Sequence, residues 1–321
     1  MRKSIAVLTI VLMLAGLLTA CSGGPEKSGK KQIVATVFPE YDWVMNVLGD
    51  KAGDYDVTML LDNGVDLHSF QATAADIMKI SSCDMLIYVG GESDEWIEDA
   101  VKEAVNKDMV VINLLETLGD AVKEEEIAEG MEGEDNDHEE GEVEYDEHVW
   151  LSLRNAEVIV NAIADAFAGI DSENASVYSS NAAVYNEKLK ALDAGYKAAV
   201  DGASVKTVLF GDRFPFRYLT DDYGLSYYAA FAGCEAETEA SFETVVFLAN
   251  KLDELGLKAV LTIETSDQKL AKTIKENSKS ADQEILTLDS MQSTTSKDIK
   301  AGATYLSIME KNLEVLKKAL R

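Results

Sequence analysis

The sequence predicts an α/β protein of two lobes, each with a mainly parallel sheet flanked by helices, joined by one long rigid helix. Three features predict it. From Ile33 onward short apolar runs alternate with stretches of helical period; one helical stretch then spans residues 174–200; and after Gly202 the alternation begins again. A chain that alternates strand and helix builds a parallel sheet with helices on its faces.

In the first half, Ile33-Val34-Ala35-Thr36-Val37 reads as a strand ended by Phe38-Pro39, and residues 41–48 as a helix closed by Gly49. Residues 57–61 make a second strand, 73–81 a helix, 85–89 a third strand stopped by Gly90-Gly91, 95–106 a helix and 109–113 a fourth strand. The stretch 174–200 has no Pro and no Gly before Gly195. It keeps Val177, Tyr178, Val184, Tyr185, Leu189, Leu192 and Tyr196 at helical spacing for about seven turns. In the second half, residues 207–210 form a strand entering a loop at Gly211-Asp212-Arg213-Phe214-Pro215. Residues 225–231 are extended, 242–255 helical up to Gly256, 259–263 a strand, 268–277 helical, 285–288 a strand before Asp289, and 303–320 a closing helix. The expected organisation is a first lobe over residues 33–170, a connecting helix over 171–202 and a second lobe over 203–321.

The start of the chain is read as an address rather than a fold element. Arg2-Lys3 precede an almost wholly apolar run over residues 4–19, and Leu18-Thr19-Ala20-Cys21 closes it with a small residue before a cysteine. A run of about 16 residues is short for a bilayer span, which needs roughly 20. Residues 1–20 are therefore read as a signal peptide and residues 21–32 as a flexible tether; Leu18-Thr19-Ala20-Cys21 resembles the bacterial lipobox, which implies a lipoprotein signal with Cys21 the site of lipidation, ordinary secretion with Cys21 incidental being the alternative. The mature protein is expected outside the cytoplasm, lipid-anchored to the bacterial cell membrane. Cys83 and Cys234 are flanked like buried small hydrophobes, and a disulfide between them is the alternative.

A formal net charge of −29 repels nucleic acid and excludes a nucleic-acid-binding function. Part of this charge is local, in an acidic loop at about residues 119–147 that no core can absorb and that self-repels. It reads either as a solvated loop or as a collector of cations, with His138 among its carboxylates.

The chain has only three histidines, and two sit in acidic-aromatic contexts: Asp66-Leu67-His68-Ser69-Phe70 and Asp146-Glu147-His148-Val149-Trp150. Imidazole is the commonest side-chain metal ligand, so a histidine-poor chain that keeps one in each context is a metal-site candidate. His68 also follows a strand, where α/β sheets place their ligands. Two neutral imidazoles with one or two carboxylates suit Zn²⁺, and added carboxylate oxygens suit Mn²⁺; the affinity order favours Zn²⁺. Trp150, Phe70, Tyr227, Tyr228 and Phe231 read as packing residues. Because an imidazole must be neutral to ligate, binding is expected to weaken as pH falls through about 6.5.

These two motifs, the acidic loop before His148, the long connecting helix and Leu288-Asp289-Ser290 together resemble the zinc- and manganese-binding lipoproteins of ATP-driven metal importers. These are the cluster A-I solute-binding proteins, and the acidic loop resembles the His-rich loops of their zinc-binding members. The resemblance implies a metal held in the cleft by four side chains, two from each lobe. It carries His68 and His148 over directly and Asp289 as the late acidic ligand. The family's remaining ligand is a His or Glu after the first strand of the second lobe, where this chain has Gly211-Asp212-Arg213; Asp212 is the candidate, with Glu237 or Glu239 in reserve, or water completing the shell. Arg213 beside it opposes a cation and is expected to pair with Asp221, Asp222 or a glutamate at 235, 237 or 239. The implied function is capture of a divalent cation, Zn²⁺ before Mn²⁺, by a monomer that delivers it to the membrane permease of an ABC importer. Two other classes stay open: an adhesin-type lipoprotein with incidental metal, and a secreted metal-dependent hydrolase. No His-Glu-x-x-His, Gly-x-Ser-x-Gly or phosphate-loop motif supports the latter.

Overall fold

In the computed structural model, residues 29–132, 144–234 and 239–321 are described. The proposed signal peptide, Cys21, His138 and Glu237 lie outside the described residues, as does most of the proposed tether.

Two four-stranded sheets form from the two halves of the chain. The first contains β1 (Lys31–Ala35), β2 (Tyr55–Met59), β3 (Met85–Tyr88) and β4 (Val110–Asn113) in the order β2-β1-β3-β4. The second contains β5 (Thr207–Phe214), β6 (Ser226–Ala232), β7 (Ala259–Thr262) and β8 (Glu284–Thr287) in the order β6-β5-β7-β8. The pairings β1–β3, β3–β4, β5–β6, β5–β7 and β7–β8 are parallel. The two sheets thus repeat one topology, as the alternating pattern predicts.

Between the first-sheet strands lie α1 (Phe38–Leu48), α2 (Ala74–Ser82) and α3 (Glu95–Lys102). Pro39 sits at the start of α1, where no N–H is needed, and Glu40 Oε2 accepts the N–H groups of Thr36 and Val37 at 2.7 and 3.2 Å. A capping box of Thr73 and Asp76 opens α2. After β4 come α4 (Leu114–Leu118), α5 (Leu153–Ile170) and the long α6 (Ala175–Asp201) of 27 residues. Tyr178, Tyr185, Leu189 and Tyr196 form the buried stripe of α6, whereas Val184 is on its solvent side. This helix packs along α5 and against α1.

The second sheet carries α7 (Arg217–Tyr223), α8 (Phe242–Leu255), α9 (Lys269–Asn277), α10 (Ser296–Lys300) and the closing α11 (Tyr305–Ala319). The last helix touches β7 and β8 but also returns to α1 and α6. There the Trp43 and Tyr305 rings meet edge-on at 5.1 Å, Tyr305 Oη donates to Trp150 O at 2.7 Å, and Tyr196 Oη donates to Met309 O at 2.6 Å. One buried apolar cluster consequently runs from Ile33 through Phe210 and Leu261 to Leu320, with a smaller one on the α8–α9 side of the second sheet.

Two expectations are corrected. The segment Gly211-Asp212-Arg213-Phe214 is not a loop but the second half of β5, with a bulge: Phe210 pairs with Ala229 and Arg213 with Phe231. Three steps on β5 match two on β6, so one extra residue is absorbed and the side chains beyond it are re-aimed. Nor is the acidic segment only a solvated loop. Its described flanks are held to the second lobe: Glu132 N donates to Ala230 O at 2.9 Å, Glu132 Oε1 accepts Ser241 N at 2.6 Å, and Glu126 pairs with Arg217. The flanks also pair with each other through a bridge between Glu124 and Tyr145. At these flanks, pairing with a fixed cation and backbone donors offsets part of the self-repulsion that composition suggests. Among the described residues no helix is long and apolar enough to cross a membrane.

Candidate metal centre

The loops at the carboxyl ends of the two sheets meet. Asp62 accepts Ser296 N at 2.5 Å, Trp150 Nε1 donates to Ser290 O at 2.9 Å, and Asp66 pairs with Arg213 at 2.6 Å. His68 lies in the loop after β2, on a single 3₁₀ turn, Leu67–Ser69. Asp66 caps that turn, its Oδ1 accepting His68 N at 3.0 Å and Ser69 N at 3.3 Å. Its Oδ2 takes the Arg213 guanidinium, so one carboxylate fixes the histidine turn and ties it to the second lobe. Burial alone would raise the Asp66 pKa; the Arg213 charge outweighs it and holds the carboxyl below its usual range. Among the described residues Arg213 pairs with Asp66, a partner not among those expected, and the β5 bulge aims it across the cleft; the glutamates at 235 and 237 lie outside the described residues.

His148 sits just before the 3₁₀ turn Val149–Leu151 and is completely buried. Asp146 Oδ1 accepts both its backbone N–H, at 2.8 Å, and its Nδ1–H, at 3.0 Å. The opposite nitrogen, Nε2, stands 3.1 Å from His68 Nε2. On its far side His68 Nδ1 meets Ser93 Oγ at 2.8 Å and Glu147 Oε2 at 3.5 Å. Glu147 is itself held by Ser93 N at 2.8 Å and fits because Gly91 is bare: a Cβ there would lie 2.5 Å from Glu147 Oε1.

The proton distribution follows from these partners. Burial, reinforced by the His148 charge, pushes His68 down to about 3, so it is neutral. Burial also opposes charge on His148, but Asp146 and then Glu147 and Glu125 outweigh it and hold its pKa above the ordinary value. With Nδ1–H of His148 committed to Asp146, any second proton that His148 takes up goes on Nε2, facing the Nε2 lone pair of His68. The two nitrogens face each other with their orientation set by carboxylate and hydroxyl partners behind them, the arrangement by which outer-shell groups orient metal-binding imidazoles. Burial raises Glu147 to about 7.

A third donor joins them. Among the described residues, the one group of three or more His, Cys, Asp or Glu donors that could hold a metal ion comprises His68, His148 and Cys234, whose ligand atoms all lie within 4.8 Å of one another. Cys234 is a free thiol just beyond β6; Cys83, at the end of α2, is also free, is fully buried and donates to Ile80 O. No disulfide joins them. Cys83 is the small core hydrophobe expected; Cys234 is not. Sequence reading passed over Cys234 although it follows a strand just as His68 does, and the same carboxyl-end rule would have marked it.

The other expected residues stand elsewhere. Asp212 turns to its own lobe, its carboxylate accepting Arg213 N at 2.9 Å and Ile263 N at 3.4 Å. Asp289 Oδ1 accepts Met291 N at 2.8 Å, while burial and the neighbouring Glu264 raise its pKa to about 6. Glu239 is exposed. None of the three belongs to the donor group. The aromatic residues pack as expected: Trp150 lies edge-on to His148 at 5.3 Å, Phe70 faces Trp96 at 6.0 Å, and Tyr227 stacks on Phe214 at 3.8 Å.

Residues 33–319 match the family described as zinc-uptake complex component A, periplasmic. The chain belongs to this family. The zinc-binding protein AdcA of Streptococcus pyogenes serotype M6 is 32% identical over 295 residues, which are 90% of this chain and 56% of that protein, so the chain spans little more than half of that relative. The high-affinity zinc uptake system protein ZnuA of Bacillus subtilis is 27% identical over 98% of this chain and 96% of its own length. Among solved structures, the Zn(II)-bound ZnuA-like domain of Streptococcus pneumoniae AdcA superposes with a TM-score of 0.70 at 28% identity, covering 91% of this chain and 99% of that one. As a component A family member the chain shares its two-lobed fold with these proteins.

Proposed function

We propose that the protein captures a divalent cation, Zn²⁺ in preference to Mn²⁺, outside the cytoplasm and delivers it to the membrane permease of an ABC importer. It would act as a monomer tethered through lipidated Cys21, with lobes over residues 33–170 and 203–321 and the helix over 171–202 between them. The observation that carries this reading is the pair of Nε2 atoms 3.1 Å apart at the meeting of the two lobes, each backed by a hydrogen-bonding partner. Family membership and the zinc named for the relatives support it. His68 and His148 are the fixed nitrogen ligands, and Asp289 at the end of β8 is the carboxylate that the family pattern assigns to the second lobe. Binding and release, rather than turnover, is the work assigned to this site.

The test is a competition titration of the chelator-stripped protein with Zn²⁺ and Mn²⁺ at neutral pH. One tight zinc equivalent, lost in His148→Ala, is expected. Tighter Mn²⁺ binding would make the cargo manganese, and no tight site for either would overturn the reading in favour of an adhesin or a hydrolase.

A further inference from the structure

The donor group poses a question that the two histidines leave open, namely what the second lobe contributes. Its acidic candidates are engaged locally and stand outside the donor group in this conformation: Asp212 is bonded to Ile263 N and Asp289 to Met291 N. What the second lobe places beside the imidazoles is the sulfur of Cys234. That position is held from two sides. Cys234 N donates to Glu125 Oε1 at 3.0 Å, so the acidic strap grips the cysteine backbone. Gly233 lies directly against the imidazole of His148: a Cβ there would stand 3.1 Å from Cε1, 3.2 Å from Nδ1 and 2.9 Å from Phe214 O. A bare α-carbon at this point lets the strand end approach closely enough to bring the next residue over the site.

The distances suit one ion. A tetrahedral Zn²⁺ with Zn–N near 2.0–2.1 Å and Zn–S near 2.3 Å separates two nitrogens by about 3.3 Å and nitrogen from sulfur by about 3.6 Å. The Nε2 atoms here are 3.1 Å apart and the sulfur lies within 4.8 Å of one ring nitrogen of each histidine, so small side-chain rotations close the set. Charge also fits: a thiolate supplies the negative charge that a dication needs near Arg213.

We propose that Cys234 is the ligand through which this protein selects its metal: its thiolate completes a His–His–Cys set drawn from both lobes and favours Zn²⁺ over Mn²⁺. The proposal rests on the metal-capture reading and deepens it. As the metal–sulfur bond forms, the S–H bond breaks and its proton passes to solvent; no redox partner is involved. Thiolate is a soft ligand that suits Zn²⁺ and Cd²⁺, whereas Mn²⁺ prefers carboxylate and water oxygens.

The experiment uses the full-length protein in detergent, stripped with chelator, with Zn²⁺, Cd²⁺ and Mn²⁺ as probes. One Cd²⁺ equivalent should produce a thiolate-to-metal charge-transfer absorption that Cys234→Ser abolishes and Cys83→Ser keeps. Cys234→Ser should lower the ratio of Zn²⁺ to Mn²⁺ affinity by about tenfold or more, since even outer-shell changes cost 10–100-fold. In the unmutated protein, Zn²⁺ should protect Cys234 from alkylation, a readout independent of how the variant folds. Tight zinc binding that needs His148 but shows no charge transfer, no thiol protection and an unchanged metal ratio in Cys234→Ser would overturn this proposal and leave the capture reading standing. Failure of the unmutated protein to bind Zn²⁺ would overturn both.

Discussion

At His148 one side chain carries geometry, charge and stability together. Its Nδ1–H satisfies the buried Asp146 carboxylate and its Nε2 faces the site. His148→Ala is expected to abolish tight zinc binding in a calorimetric titration, while the protein still unfolds cooperatively at a stability lowered by about 1–3 kcal/mol, because Asp146 is left buried without its partner. The pH dependence belongs to the same residue. His68 is already neutral, so proton competition falls on His148, whose pKa in the metal-free protein is raised. Above that pKa the imidazole has no proton to lose on ligation; below it each bound ion must displace one, and affinity falls by about tenfold per pH unit. The decline should therefore begin above 6.5 rather than at it, which titrations across pH 5–8.5 check. Burial and neighbouring carboxylates also keep the Cys234 thiol protonated, so ligation by sulfur adds a second displaced proton and a residual slope that Cys234→Ser removes. Beside these proposed ligands, Gly233→Ala should cost about 1–3 kcal/mol and weaken zinc binding, since the added methyl meets Phe214 O and the His148 ring together.

The acidic segment and β5 are the elements whose behaviour the chain conceals. Composition marks residues 119–147 as a self-repelling loop and suggests that deleting residues 124–142 would alter uptake at scarce metal more than site affinity. The structure divides that expectation. Glu125 holds Cys234 N, Glu126 pairs with Arg217, and Glu132 caps the approach to α8 through Ser241 N. Deletion of residues 133–143 alone should leave zinc affinity unchanged within about twofold, whereas a deletion reaching Glu125 should weaken it by about tenfold, comparable to losing an outer-shell partner. Equal affinities for the two deletions would show that the strap does not position Cys234. In β5, the bulge between Phe210 and Arg213 decides which of Asp212 and Arg213 faces the cleft. Strand and helix order were legible because apolar runs and helical periods are local patterns; the bulge was not, because it exists only in register with β6.

Across the whole molecule, the lobes are joined by more than the connecting helix. The main apolar core is continuous through both sheets, α11 returns from the second lobe to Trp43 and Trp150 of the first, and the Asp66–Arg213 pair spans the cleft. This pair is nearly enclosed, with side-chain exposures of 10% and 5%. Arg213→Met leaves Asp66 charged and unpaired, so a loss of about 3 kcal/mol is expected in denaturant unfolding, and much less in the double variant that also carries Asp66→Asn. If the two variants unfold alike, the pair contributes nothing beyond the side chains themselves. Because Asp66 also caps the His68 turn, the single variant should weaken zinc binding as well.

The sequence by itself determined the two repeated α/β halves, the 27-residue helix between them and the two histidines, since each is written in local spacing or in a scarce residue set within a short motif. Tertiary structure alone decided which second-lobe donor stands beside the imidazoles. Whether Asp212, Asp289 or Cys234 faces the imidazoles depends on a one-residue bulge, a bare glycine and a strap arriving from the first lobe about 109 residues earlier in the chain. Those are contacts between segments remote in sequence, and no local pattern encodes the direction in which a side chain points when its neighbours come from the other lobe.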